Sequence, residues 1–319
     1  MLALRELDAE AYAECVLPQT APLWAGNRDV QTYVTHSLEI ARSPYGKRFY
    51  RTIGAYDGNL VASFKRYDRT VRLRDQRLEA IGIGAVFTPE PFRGRGYASA
   101  MLATALDDAR SAGKDLAYLF SDIHPRFYKQ LGFVELPSRS ISIRADAFSG
   151  QRVPLQSLAE SDWSGVGRCF EKLEYTRSWS FIRTPTVWNL LRLRLRQGST
   201  HAEGQAANLV VRDRRGVRAY VIGQREPAHD AYVLDEFGYA DDAAREFVGG
   251  LLRAAAGDLR RIIGWLPPAG ARACLPRGSV RKRKDAIFMA APLTAAGAEV
   301  VGAANAGGDA DCLWTTDHV

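Results

Sequence analysis

The stretch Val86-Phe87-Thr88-Pro89-Glu90-Pro91-Phe92-Arg93-Gly94-Arg95-Gly96-Tyr97-Ala98 decides how this chain folds and what it holds. Upstream, Arg77–Thr88 is rich in Ile, Val and Phe, the composition of a buried strand. Downstream, Met101, Leu102, Leu106 and Ala109 recur at helical spacing over Tyr97–Ser111, and Gly113 stands where that helix would end. Between the two, a proline-rich turn passes into alternating arginine and glycine. A helix start exposes unpaired N–H groups and the positive end of its dipole, so it attracts phosphate. Gly94 and Gly96 let the backbone approach an anion closely, and Arg93 and Arg95 add charge. The loop has neither the Gly-Lys-Ser/Thr of a P-loop nor the spacing of a dinucleotide fingerprint. The alternative reading of the loop is the start of a helix with solvated arginines, which its strand–loop–helix setting counts against.

Outward from this loop the first half alternates element types. Leu2–Leu7 reads as a strand, with Asp8 capping a helix from Ala9. A second helix spans about Asp29 to Ala41, on the stripe Val30, Tyr33, Val34, Leu38 and Ile40. Phe49–Tyr56 and Leu60–Tyr67 are strands joined by the hairpin signal Asp57-Gly58-Asn59. Leu116–Phe120 is an apolar strand, Pro125–Leu131 a short helix and Ser138–Ala145 an alternating strand. The strand–helix–strand from Leu78 to Phe120 requires a parallel crossover, while the hairpins require antiparallel pairing. The expected fold is α/β with a mixed, mostly antiparallel sheet flanked by helices.

The second half repeats the order. Ser161–Phe170 and Pro185–Arg196 read as helices, and Asn208–Arg212, Val217–Gly223 and Ala231–Tyr239 as strands. A helix over Asp241–Ala255 and strands at Arg261–Trp265 and Ala286–Ala290 follow. This predicts a duplication with its junction near Gly150–Pro154, hence units 1–149 and 150–319. Where the first half has its Arg/Gly loop, the second has Asp241 and Asp242, which suit a helix start but repel a pyrophosphate.

In these motifs the chain resembles the GNAT superfamily of N-acetyltransferases, whose pyrophosphate loop reads Arg/Gln-x-x-Gly-x-Gly/Ala. Arg93, Gly96 and Ala98 match it in register, and Phe127-Tyr128-Lys129-Gln130-Leu131-Gly132-Phe133 supplies the tyrosine and Gly-Phe step expected downstream. Val-Phe-Thr-Pro before the loop, Gly-Tyr-Ala-Ser after it and Ser121-Asp122-Ile123 are similar to the fungal lysine N6-acetyltransferase and Eis-type groups. The Eis type carries a second, degenerate acetyltransferase-like domain, so the resemblance implies tandem GNAT-like domains.

The resemblance further implies acetyl-CoA as donor and a primary amine of a small molecule as acceptor. It assigns the pyrophosphate to Arg93, Gly94, Arg95, Gly96, Tyr97 and Ala98, the pantetheine to the strand edge at Val86 and Thr88, and a cofactor contact to Ser121. Tyr128 takes the general-acid position, the motif register favouring that role over its other reading, a core tyrosine beside Phe127. For the base there are two candidates, Glu79 and, by analogy with the Eis type, the Val319 carboxylate beside Asp317 and His318. The tail is either docked, as Trp314 argues, or frayed. Trp24 and Tyr33 are either an acceptor wall or ordinary core. The rival function is a non-catalytic CoA- or polyanion-binding regulatory module.

Composition narrows the setting. The chain has 319 residues, 46% hydrophobic and 25% charged, which suits a folded protein of about two domains. The net charge of +7 is spread, with 20 Lys and Arg against 17 Asp and Glu over residues 1–150 and 23 against 19 over 151–319. Nucleic-acid binding favours a concentrated stripe, so none is expected. Arg281-Lys282-Arg283-Lys284 reads as a solvated strand start. The longest uncharged stretch near the C-terminus, Ala286–Ala298, has 13 residues and Pro292, against the roughly 20 of a membrane span. Acidic and basic residues fill the N-terminus where a signal peptide is apolar, and the four cysteines lie far apart, so a cytoplasmic location is expected. The five histidines, read as surface or helix-end residues, show no metal spacing, and no metal is expected. A homo-oligomer is left open.

Overall fold

The computed structural model describes residues 2–149, 156–198, 204–308 and 312–318, so the expected junction at Gly150–Pro154 and the Val319 carboxylate lie outside the described residues. The first half begins with β1 (Ala3–Leu7), α1 (Ala9–Cys15), α2 (Leu17–Trp24), α3 (Val30–Arg42) and α4 (Pro44–Phe49). The Asp8 carboxylate accepts the Ala11 N–H at 2.7 Å, the cap its position predicts, and Asp29 lies just before α3 and accepts the Thr32 N–H at 2.8 Å. Then come β2 (Tyr50–Asp57), β3 (Asn59–Leu73), β4 (Gln76–Phe87), α5 (Tyr97–Ser111), β5 (Leu116–Ser121), α6 (Arg126–Lys129), β6 (Val134–Glu135) and β7 (Arg139–Arg144). The β2–β3 hairpin turns at Gly58, whose φ of 74° is the left-handed conformation glycine adopts without strain. Leu17–Trp24 is helical although the sequence around it, Pro18–Arg28, reads as a loop, and Pro44–Phe49 and Val134–Glu135 form a helix and a short strand that the sequence pattern does not announce. Pro18 sits in the first turn of α2, where a missing N–H costs nothing.

The second half comprises β8 (Gln156–Ser157), α7 (Trp163–Glu174), β9 (Trp179–Phe181), α8 (Pro185–Gln197), β10 (Gln205–Ala206), β11 (Leu209–Asp213), β12 (Gly216–Glu226), β13 (Ala231–Tyr239), α9 (Asp242–Ala256), β14 (Arg261–Trp265), α10 (Ala269–Arg272), β15 (Ser279–Lys282), β16 (Ile287–Pro292) and α11 (Ala295–Gly307). Two mixed sheets result, in the order β1-β2-β3-β4-β5-β16-β6 and β15-β7-β14-β13-β12-β11-β8. β9 adds to β3 and β10 to β12. In each sheet one parallel pair, β4–β5 or β13–β14, is spanned by the long helix α5 or α9, and the remaining pairs are antiparallel.

The expected division at 149/150 follows chain order but not the sheets. β7, from before it, pairs with β14 and β15 of the second sheet, and β16, from near the C-terminus, inserts between β5 and β6 of the first. Each sheet therefore borrows a strand from the other half. β9 and α8 cross as well: Val187 and Leu190 of α8 bury against Tyr45, Tyr50 and Tyr67 of the first half. Fully burying each such aliphatic side chain is worth about 1.5–3 kcal/mol. Among the described residues, no helix is long and apolar enough to cross a membrane.

The basic run is only partly solvated. Arg281 and Lys282 are exposed in β15, but Arg283 is buried with its guanidinium 3.5 Å from the Trp265 ring centroid, and burial pulls its pKa down to about 10. The described tail is docked: Trp314 is 2% exposed and packs edge-on to Phe237 at 5.2 Å. Asp317 joins Arg183 at 2.9 Å, and Arg183 also joins Glu236 at 2.7 Å, all three side chains being almost fully buried. The Tyr220 hydroxyl donates to Glu236 at 2.5 Å, and the Thr316 hydroxyl donates to the same carboxylate. Removing one member of a buried ion cluster leaves an uncompensated charge. Glu236→Gln should therefore lower the unfolding free energy by about 3–5 kcal/mol in urea titration, whereas a loss below 1 kcal/mol would show that the cluster does not anchor the tail.

Candidate active site

The site begins at an interruption in the sheet. β4 and β5 pair in parallel from Ala80–Leu116 to Ile83–Leu119 and no further. At that point Ala85 adopts φ 46°, and the β3 register shifts so that Lys65 faces Gly84 while Ser63 faces Phe87. Two residues of β4 thus sit between partners that flank a single residue of β3, a bulge that bends the strand away from its neighbour. β5 meanwhile stays paired to β16 as far as Ser121–Ile287. The half-buried Val86 and Thr88 lie on the diverging edge, where a backbone freed from the ladder needs another partner.

Beyond Phe87 the chain turns through a short 3₁₀ segment, Glu90–Phe92, and Arg93 Nε donates to the Thr88 carbonyl at 3.1 Å. Gly94 and Gly96 have φ of 73° and 80°, and a Cβ at either would meet open space. Gly96 is the residue before α5, and no side chain caps that helix. The first N–H groups of a 15-residue helix are therefore without a side-chain acceptor, at an exposed loop carrying Arg93 and Arg95. The Tyr97 hydroxyl donates to Asp57 at 2.8 Å, which ties the helix start to the β2–β3 hairpin. In the second half the equivalent position is closed: Asp241 accepts the Ala244 N–H at 2.8 Å and pairs with Arg218 at 2.6 Å.

Tyr128 lies in α6, buried between Phe127 at 4.9 Å and Phe133 at 5.9 Å between ring centroids. Burial, with the Asp122 carboxylate adding to it, pushes its pKa up to about 12, so its hydroxyl keeps its proton across the physiological range. Ser121 ends β5, and its hydroxyl donates to the Ile123 carbonyl at 2.8 Å, holding the turn that leads to α6.

On the other side of the wedge is a cavity of about 270 Å³ lined by Trp24, Tyr33, Lys65, Gly84, Phe120, Arg194 and His318, among others. Trp24 and Tyr33 both face it. His318 does too, with its ring 4.8 Å from Phe120 and its carbonyl accepting from Arg194 Nη1 at 2.7 Å. His318 is thus no surface histidine; burial and the nearby Arg194 and Arg283 drive its pKa down to about 3, leaving a neutral imidazole. Asp317, one residue earlier, points into the Arg183 cluster instead. Glu79 stands at the far end of β4, exposed, beside Lys114 at 3.5 Å and Thr70. Seven residues from Val86 along a strand is about 23 Å, so Glu79 does not reach the wedge.

Sequence reading missed Lys65, Arg28 and Arg194 as cavity residues. For Lys65 a signal existed: it alternates with Tyr67 on β3, a lysine on a face otherwise buried. Arg194 carried none, because its helix belongs to the other half.

Residues 25–135 match a family model described as an acetyltransferase (GNAT) domain, a segment that holds the bulge, the glycine loop, α5 and Tyr128. Three solved structures resemble almost the whole chain. A GCN5-related N-acetyltransferase from Anabaena variabilis has 15% identity and a TM-score of 0.72, over 93% of this chain and 74% of that one. Eis1 from Mycobacterium abscessus has 15% identity and a TM-score of 0.59, over 92% and 74%. A tandem GNAT protein from the clavulanic acid biosynthesis pathway has 13% identity and a TM-score of 0.52, over 92% and 99%. At these identities the likeness is one of fold, and the fold is that of tandem GNAT-like domains. No curated protein matches the chain.

The left-handed φ of 80° at Gly96 strains any residue with a Cβ by about 1–2 kcal/mol. Gly96→Ala should lower thermal stability and shrink the stabilisation given by added pyrophosphate. An unchanged pyrophosphate shift would mean that this helix start does not hold an anion.

Proposed function

Because the chain carries a GNAT acetyltransferase domain at residues 25–135, we propose that it is an N-acetyltransferase, moving an acetyl group from acetyl-CoA to the primary amine of a small molecule in the cytoplasm. The observation that carries this reading is the adjacency of two features on one stretch of chain. The strand edge freed at Val86 leads within ten residues to the uncapped, glycine-hinged start of α5. A long donor with an amide arm and a pyrophosphate fits that pair: the arm can add to the sheet edge like a short strand, and the pyrophosphate can take the free N–H groups.

In this reading Arg95, Gly96, Tyr97 and Ala98 present backbone N–H groups to the pyrophosphate, with Arg93 and Arg95 adding charge. Val86 and Thr88 hold the arm, and a backbone N–H near Val86 stabilises negative charge developing on the carbonyl oxygen. When bound, the thioester supplies an activated acetyl carbon and a thiol leaving group. The acceptor ammonium gives up one proton before attack, and its nitrogen lone pair forms the new N–C bond as the C–S bond breaks. Tyr128 donates its proton to the departing sulfur and regains one from the medium, while the new amide nitrogen sheds its excess proton. The net products are an acetamide, CoA thiol and one proton. Ser121, bonded to Ile123, acts by shaping the turn before Tyr128.

Tyr128→Phe should lower kcat by about 10²-fold or more, with the KM for acetyl-CoA little changed. A donor with a pKa near 12 stays protonated below that pH. The wild-type kcat, measured at saturating acceptor, should therefore rise with pH as the bound acceptor loses its proton and show no alkaline fall up to pH ~10. CoA binding without thiol release, for any amine tried, would favour a non-catalytic CoA-binding module instead.

A further inference from the structure

The cavity beside the bulge carries a charge pattern that bears on its occupant. Three cationic side chains reach it from three elements: Arg28 from the loop after α2, Lys65 from β3 and Arg194 from α8. Arg28 donates to the Ala25 carbonyl at 2.9 Å and the Trp24 carbonyl at 3.2 Å, and lies 3.3 Å from His36 Nδ1. The Lys65 ammonium sits 5.6 Å from the Tyr12 ring centroid, opposite Gly84. Arg194 donates to the His318 carbonyl and lies 5.9 Å from the Tyr67 ring centroid. Among the described residues, none of the three pairs with a carboxylate. The lining carboxylate Asp122 accepts the Ala286 N–H at 2.9 Å and is exposed at the rim.

Withdrawing cations from water is costly where no described carboxylate pairs with them, and the sign of that cost shows in Lys65, whose pKa burial and the two arginines pull down to about 8. A second ammonium brought into this cavity would add repulsion; a carboxylate would relieve it. The volume, about 270 Å³, is at or below the lower end for small-ligand pockets and suits a molecule of amino-acid size. Resting on the acetyltransferase reading above, we propose that the acceptor is a small amine that also carries a carboxylate, with Lys65, Arg28 and Arg194 receiving the carboxylate and the amine directed at the bulge.

The test compares partners matched in length: 4-aminobutyrate against butane-1,4-diamine and alanine against alaninamide, with kanamycin as a large polycation. Thiol release is followed alongside calorimetric binding to the CoA-saturated protein. The carboxylate member of each pair should bind about tenfold more tightly or better. Lys65→Met and Arg194→Gln should each remove about tenfold of that preference, and Lys65→Arg should retain it. Arg28→Gln, at a half-exposed position, repeats the measurement if the more enclosed variants do not fold. Preference for the diamine or kanamycin, or a preference untouched by these variants, overturns the proposal. Thiol release with the diamine alone keeps the acetyltransferase reading and sinks this one. Tight carboxylate-dependent binding with no thiol release for any amine sinks the acetyltransferase reading, and with it the assignment of that ligand as acceptor, while leaving the carboxylate-binding cavity standing.

Discussion

The parting of β4 from β5 beyond the Ile83–Leu119 pair is the constraint on which the candidate site depends. Two parallel neighbours share a ladder, and then Ala85 takes a left-handed conformation that a residue with a Cβ adopts at a cost of order 1 kcal/mol. The strain persists because β3 and the packed helix α5 hold β4 on its other sides, with Met101, Leu102 and Leu106 set against Phe64, Ile81 and Ile83. The single irregularity opens the sheet on both sides. Toward the loop it frees the edge at Val86 beside an uncapped helix; toward the opposite face it exposes Lys65 and Phe120 to a cavity.

What fills the far wall of that cavity comes from elsewhere in the chain. α8 is held against α4 and β3 by Val187 and Leu190, and it carries Arg194 to the wedge. The tail reaches the same place because Asp317 is captured by Arg183, whose charge is shared with Glu236, and because Trp314 is buried on Phe237. The exchange of β7 and β16 locks these parts together, since neither sheet has its full set of strands without the other half. The cavity is therefore lined from both halves of the chain, while the bulge and the glycine loop belong to the first alone.

Sequence reading succeeded where a residue's role is local. Asp8 caps because the side chain bonds an N–H three residues on, and Gly58 turns because only its own φ is at stake. The glycine loop and the acidic Asp241 are legible for the same reason, as each acts on the helix it precedes. It failed where the partner is distant. β7 and β16 have the alternation or apolarity of any strand, which specifies a face and not a neighbour. Arg283 lay in a run of four basic residues, and only the Trp265 ring folded against it shows that it leaves water. Glu79 carried the right chemistry for a base, and its location at the far end of β4 disqualifies it.

The sequence by itself determined the order of elements and the glycine-hinged, uncapped helix start from Arg93 to Ala98, because spacing, glycine and capping act within a few residues of themselves. Tertiary structure alone decided which strands complete each sheet, where the tail ends up and that Lys65, Arg28 and Arg194 share one cavity. Those outcomes depend on which buried faces meet, and that is a property of the packed chain as a whole.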